Sequence, residues 1–317
     1  MNLYAQKASN VRRTWALILG FFFVAVAIGY AISWYYQNPA ILIVAVVIAF
    51  ATNIYAYWAS DKLVLSLTKA RPASREEFFD LYTVTENLAI TAGLPKPKLY
   101  VIDDSAPNAF ATGRDEKHAV VCATTGLLAM MSRTELEGVI AHELSHIKNR
   151  DMLLMTVAVV LAGFIALIAN IFIHTSFMGG GRRNNNNGGA IFAVIAIVAI
   201  VLAPIAAKLI QLAISRRREY HADASGALLT RYPAGLASAL EKIGNYQAPM
   251  KNANLATAHL FIGDPFGSTS SPPMRSGSST SGSSISSTGG LSGRIERLFS
   301  THPPIRDRIK LLLSQGV

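Results

Sequence analysis

Four apolar runs divide the chain. Residues 14–36 and 40–58 come first, parted by the uncharged turn Gln37-Asn38-Pro39, and residues 152–173 and 190–214 follow a long polar stretch. Each run is close to the roughly 20 residues that a helix needs to cross the hydrocarbon core of a bilayer. The pattern therefore predicts two transmembrane hairpins. Trp15, Trp34, Tyr35, Tyr36, Tyr57 and Trp58 stand at the ends of the first two runs, where amphipathic rings prefer the headgroup layer. The first run is too long, and too aromatic at its end, for a signal peptide, and no small-residue cleavage site is evident, so it is expected to stay as an anchor.

Between and after the hairpins the periodicity changes. Ser74-Arg75-Glu76-Glu77 has the form of a capping box and predicts a helix running to about Ala92, ended by Gly93 and Pro95. Residues 98–102 and 118–123 are short and β-rich, with residues 108–112 an edge strand between them. Ser132-Arg133-Thr134-Glu135 is a second capping box and predicts the start of another helix. Residues 179–189, with four consecutive asparagines, form a polar turn, and residues 263–293, rich in Ser, Gly, Thr and Pro, form a flexible insert. Residues 294–313 return to helical periodicity. The fold class is α+β, mainly α, with a small mixed sheet. Residues 1–60 make an N-terminal transmembrane hairpin, and residues 61–151 and 215–317 make two parts of one polar domain, split by the second apolar hairpin at 152–214.

Composition fits a membrane protein: 51% of residues are hydrophobic and only 15% charged. The net charge of +10 could point to nucleic acid, but its distribution points elsewhere. Lys7, Arg12 and Arg13 precede the first run, Lys62, Lys69 and Arg71 follow the second, Lys148 and Arg150 precede the third, and Arg216, Arg217 and Arg218 follow the fourth. By the positive-inside rule both termini and the central region are cytoplasmic, with Arg182 and Arg183 as the exception. A basic rim at the membrane accounts for the charge, and no nucleic-acid partner is expected. The single cysteine, Cys122, excludes an internal disulfide.

The chemistry centres on His142-Glu143-Leu144-Ser145-His146. Residues four apart share one face of a helix, so both imidazoles can grip one zinc ion, and Glu143 can take a proton from a water that the metal activates. A third protein ligand is needed, with one position left open. Glu219 is the best candidate, since it follows the fourth apolar run as His146 precedes the third. An even number of crossings, or none, returns it to the same side. Asp223 shares a helical face with Glu219 and could accept the second ring N–H of His142 or His146. Taken alone, Glu219 and Asp223 could also be an acidic pair that neutralises the neighbouring arginines. His221 points to the opposite side and stays out of the metal shell.

His142-Glu143-x-x-His146, Glu219-x-x-x-Asp223, Asn108-Ala109-Phe110-Ala111-x-Gly113 and Ser300-Thr301-His302-Pro303-Pro304 together resemble the HtpX heat-shock membrane metalloproteases. This is a gluzincin group related to the CAAX prenyl protease Ste24, and the resemblance covers nearly the whole chain. It implies a cytoplasmic, zincin-like metalloprotease domain with one zinc ion per chain, in a multi-pass protein of the bacterial cytoplasmic (inner) membrane. It implies a zinc endopeptidase that cleaves misfolded or damaged membrane proteins at the cytoplasmic face, in membrane-protein quality control and the stress response. It further implies that Asn108, Ala109, Phe110 and Ala111 bind substrate backbone by strand addition, which an edge strand allows, and that His302 stabilises the transition state or ligates zinc transiently.

Glu143 is then the general base and, after the attack, returns the proton to the leaving amine. Residues 147–151 are too polar for hydrocarbon. With about six residues of continuous helix between His146 and Met152, the metal would lie about 9 Å outside the apolar boundary. Protein loops, tails and extracted segments are the expected substrates, beside the lipid bilayer as the other partner. The competing readings are a specialised prenyl-protein-type peptidase, for which the chain has few spans, and a catalytically silent membrane scaffold, in which Glu143 would have no use.

Overall fold

The computed structural model describes residues 3–178, 216–254, 257–267 and 303–314. The fourth apolar run, the asparagine tract, Arg182, Arg183, His302 and nearly all of the Ser-rich insert lie outside the described residues.

Helix α1 spans Leu3–Tyr35 and α2 spans Pro39–Trp58. The turn between them is built as its residues dictate: Asn38 Oδ1 accepts from the Ala40 amide, and Pro39 sits in the first turn, where its missing N–H costs nothing. Lys7–Trp34 and Pro39–Trp58 are long and apolar enough to cross a membrane. Phe23, Ile43, Val47 and Phe50 point outward from them. Helix α3 (Ser60–Leu67) follows. The third apolar run is the start of α7 (Asp151–Met178), whose Leu153, Leu154, Val157 and Leu161 pack on Leu17, Ile18 and Phe21 of α1 and on Ala56 of α2.

The sheet has four strands: β1 (Arg71–Pro72), β2 (Lys98–Ile102), β3 (Ala109–Thr112) and β4 (Val120–Thr124), in the order β1-β2-β4-β3. Strands β2 and β4 are parallel and the outer pairs antiparallel, so the sheet is mixed and β3 lies at its edge. The last strand begins at Val120 rather than at residue 118. Asp115 accepts from the amides of Lys117 and His118 and winds Glu116–His118 into a short 3-10 turn.

Helix α4 (Phe79–Ala92) starts later than the first capping box predicts. Ser74 Oγ does accept from the Glu77 amide, but Arg71 takes the Glu77 carboxylate with two hydrogen bonds, so the reciprocal half of the box is missing. Gly93 closes α4 in the left-handed conformation, φ 69°, as expected of it. The second box is complete: Ser132 accepts from the Glu135 amide and Glu135 returns to the Ser132 amide, opening α6 (Arg133–Lys148). Between β4 and α6 lies α5 (Thr125–Met130).

Helix α6 runs through the core. Leu136, Val139, Ile140 and Leu144 meet Val84 and Leu88 of α4, Val121 of β4, and Leu236 and Leu240 of α9 (Pro233–Asn245). Helices α8 (Arg216–Thr230) and α10 (Ile305–Ser314) complete the described part of the domain. Glycine is favoured where α8 crosses α6. A Cβ on Gly226 would stand 3.0 Å from the His142 amide nitrogen, so the small residue lets the two helices close on each other at the motif.

One expectation fails. The helix carrying the histidines does not run on into the third apolar run. It ends at Lys148, Asn149 caps it, and Arg150 takes φ 55° before α7 starts anew at Asp151. The sharp corner removes the straight helical path on which the offset of about 9 Å was based.

Candidate metal centre

Helix α6 presents His142 and His146 one turn apart, and α8 crosses it to bring Glu219 opposite them. The two Nε2 atoms are 3.2 Å apart. Glu219 Oε2 is 3.9 Å from the first and Oε1 is 3.6 Å from the second. The three residues are buried, and one ligand atom from each lies within 4.8 Å of the others.

The far side of each ring faces a carboxylate. Asp223 Oδ1 is 2.9 Å from His142 Nδ1, although the approach is bent away from the N–H direction. Asp151 Oδ2 is 3.2 Å from His146 Nδ1. Both carboxylates favour the tautomer with its proton on Nδ1, which aims the two Nε2 lone pairs at each other. Such a pair repels unless a proton or a metal cation sits between. Donor atoms about 2.0–2.1 Å from a tetrahedral zinc stand about 3.3 Å apart, close to the spacing of the nitrogens. The charge balance agrees: with Glu143 ionised and both imidazoles neutral, as metal ligation requires, the four carboxylates Glu143, Asp151, Glu219 and Asp223 outnumber Arg218 and Arg308 by two, and without a metal this excess is what raises the His146 pKa. The donor set fits a divalent metal.

Arg308 on α10 anchors the far side. It is fully buried and donates from Nε to Asp223 Oδ2 at 2.8 Å and from Nη2 to Oδ1 at 2.7 Å. Its Nη1 also stands 3.7 Å from Glu219 Oε2. Burial alone would raise the Asp223 pKa, but the Arg308 charge and hydrogen bonds, with His142, bring it down to about 2. Asp223 is thus held as a carboxylate in the interior. Burial lowers the pKa of His142, offset in part by Asp223. For His146 burial also acts downward, but Asp151, Glu219 and Glu143 outweigh it and raise the pKa to about 9.

Glu143 lies on the same helix, also buried. Desolvation raises its pKa to about 7, with nearby His146 and Arg308 pulling the other way and Glu219 adding to the rise. The backbone amide of Ala111 also pulls it down. This places the carboxyl between the histidine pair and the outer edge of β3, with a pKa suited to exchanging protons near neutrality.

On that edge, Asn108 is committed to the chain itself. Its Nδ2 donates to the Gly263 carbonyl and its Oδ1 accepts from the Gly263 amide, both at 3.0 Å. The Ala109 carbonyl accepts from the Ile262 amide at 2.9 Å, and the Phe110 ring is buried against Phe261. The edge near Ala109 is therefore covered by residues 261–263, whereas at Ala111 it faces Glu143.

A sequence profile of peptidase family M48 matches residues 75–315. The chain belongs to that family. It is a membrane metalloprotease, on the strength of this membership together with its two membrane-length apolar helices. The chain is 46% identical to "Protease HtpX homolog" of Caldanaerobacter subterraneus subsp. tengcongensis, over 98% of this chain and 97% of the relative. It is 46% identical to the protein of the same name in Pyrococcus furiosus, over 90% of this chain and 89% of the relative. Among solved structures, it matches the crystal structure of S. mikatae Ste24p with a TM-score of 0.48 and 17% identity, covering 98% of this chain and 66% of that one.

Sequence reasoning missed two residues of this M48 site. Arg308 carried no signal beyond its place after Pro303-Pro304. Asp151 was read only as part of a polar connector, because the corner that turns it back onto His146 depends on the left-handed Arg150. Asp223 was expected to serve either histidine, and it faces His142.

Proposed function

We propose that this protein is a zinc-dependent endopeptidase of the bacterial cytoplasmic membrane, cleaving misfolded or damaged membrane proteins at the cytoplasmic face. The observation that carries the reading is the convergence of His142, His146 and Glu219 within 4.8 Å beside a buried Glu143. His142, His146 and Glu219 would hold one zinc ion per chain. Zinc there supplies a Lewis acid that acidifies water and polarises a peptide carbonyl.

The chain's own groups do the rest. Glu143 takes the proton of the attacking water and delivers it to the departing amine. Asp223 and Asp151 orient the two imidazoles, and Arg308 keeps Asp223 ionised. The substrate backbone lies along β3 beside Ala111, where the strand edge meets Glu143. Asn108, Ala109 and Phe110 support that edge, with Asn108 acting through Gly263. His302 stabilises the transition state or ligates zinc transiently.

Residues 1–60 serve as the anchor, residues 61–151 and 215–317 as the catalytic domain, and residues 152–214 as a second hairpin that returns Glu219 to the side of the histidines. The basic residues flanking the runs support a cytoplasmic site. Protein segments outside the bilayer are the substrates.

The test uses purified full-length protein in detergent. Elemental analysis should give one zinc per chain, casein should be cleaved, and a chelator should stop the cleavage. Glu143→Gln should keep its zinc and lose activity. Full activity in that variant would sink the mechanism, and cleavage sites in the middle of transmembrane segments would sink the substrate class.

A further inference from the structure

Asn10 is a buried amide on α1, the first candidate membrane span, and it reaches the metal centre from outside the protease domain. Its Nδ2 donates to the Asn149 carbonyl at 3.1 Å and, in a short hydrogen bond, to Asp151 Oδ1. The other oxygen of Asp151, Oδ2, is the one that faces His146 Nδ1 at 3.2 Å. Asp151 is itself fully buried, with the Arg218 Nε 4.0 Å from Oδ1. One amide group thus spans the corner between α6 and α7, gripping the last carbonyl before the left-handed Arg150 and the first side chain after it.

We infer that Asn10 is a positioning residue for the metal site: it fixes the Asp151 carboxylate so that its free oxygen orients His146, linking the first membrane helix to a metal ligand. The argument is one of degrees of freedom. A carboxylate bound on one oxygen only can rotate about its χ2 bond, and the imidazole it holds can follow. Binding the second oxygen removes that rotation. An amide donor does so without adding charge, whereas a lysine there would compete with His146 for the carboxylate. Burial of both groups keeps water from replacing the bond, since a buried acceptor stripped of its donor stays unsatisfied. Outer partners of metal-bound histidines commonly change metal affinity by about 10–100-fold when removed.

The inference rests on the metal reading of His146, and the test separates the two. Zinc affinity is measured by competition with a chromophoric chelator on full-length protein in detergent, for wild type, Asn10→Leu, Asp151→Ala and the double variant. Leucine keeps the volume of Asn10 and removes its donor. Asn10→Ser, which is too short to reach Asp151, stands in if the leucine variant does not purify. Asp151→Ala should weaken zinc binding by about 10–100-fold and Asn10→Leu by about 3–10-fold, a fraction of that range. In the Asp151→Ala background the Asn10 change should have no further effect, because its route to His146 is gone. Equal losses from Asn10→Leu in both backgrounds would mark a general loosening of α1 and overturn the inference. So would wild-type affinity in Asn10→Leu. Failure of the wild type to bind zinc would overturn the metal reading and this inference with it.

Discussion

Helices α2 and α6 obey the same burial rule in opposite solvents. Helix α2 turns Ile43, Val44, Val47 and Phe50 outward and keeps Ala49, Thr52, Asn53 and Ala56 inside. Facing hydrocarbon, it hides small and polar residues against its neighbours and satisfies their donors locally, leaving Asn53 Oδ1 without a hydrogen-bond partner among the described residues. Thr52 Oγ1 donates to the Ile48 carbonyl and Asn53 Nδ2 to the Ala49 carbonyl. Helix α6 is buried from Leu136 to Ile147 with few interruptions, yet it carries Glu135, His142, Glu143 and His146 into the interior. Its polar groups find partners on other elements: Lys242 on α9, Asp223 on α8, Asp151 on α7 and the Ala111 amide on β3. Helix α2 settles its polar donors on its own backbone, while the catalytic helix depends on the rest of the fold.

Four changes bear on that contrast. The largest effect is expected from Glu219→Ala, which removes the one proposed ligand that α6 does not supply. Zinc affinity should fall by more than about 100-fold, beyond the range for an outer partner, and casein cleavage should go with it. Retained zinc at one ion per chain would mean that α8 does not complete the site. Next is Arg308→Leu, which strands Asp223 and Glu219 as buried carboxylates. Breaking a buried pair costs about 3–5 kcal/mol, to be read as a lowered thermal midpoint in detergent; an unchanged midpoint would show that Asp223 does not need the guanidinium.

On the lipid side, Val47→Asp places a charge on the outward face of α2. An aspartate at a helix centre costs about 2.5–3.5 kcal/mol for insertion, so the fraction of chains recovered in the membrane should drop. Normal recovery would mean that this face does not meet hydrocarbon. The smallest effect is pH-dependent and belongs to Glu135. Burial would raise its pKa, but Lys242, Ser238 and the Ser132 cap lower it to about 2. A depressed folded-state value means that the group stabilises the fold above its unfolded pKa of about 4.3 and loses this as pH falls towards 2. Against Glu135→Gln, the wild type should be more stable by about 2 kcal/mol at pH 7, allowing for the half-exposed lysine. That margin should shrink between pH 5 and pH 3, as followed by thermal melts of both proteins. A margin that grows with acid would reverse the assignment.

The same contrast explains what was legible in the sequence. Runs 14–36 and 40–58, strand 98–102 and the Ser132 box rest on neighbouring residues, and they are found in place, although the first helix begins well before its run, at Leu3. His142 and His146 announced themselves through helical spacing, and Glu219 and Asp223 through theirs. The Arg308–Asp223 pair joins residues 85 apart and the Asn10–Asp151 bond joins residues 141 apart. No periodicity links such positions, so only the packing of α1, α7, α8 and α10 brings them together. The missed corner has a different cause. Arg150 adopts a left-handed backbone that glycine usually marks, so nothing in the sequence announced a break.

Because the centre draws on Asn10, the stretch from His142 to Asp151, then Glu219 and Asp223, and last Arg308, it is complete only once the chain has been made through α10. A ribosome that has reached Thr230 has made both histidines and Glu219, but not the guanidinium that balances Asp223. Until α10 has been synthesised and docked, the newborn polypeptide holds an unfinished cluster of acids.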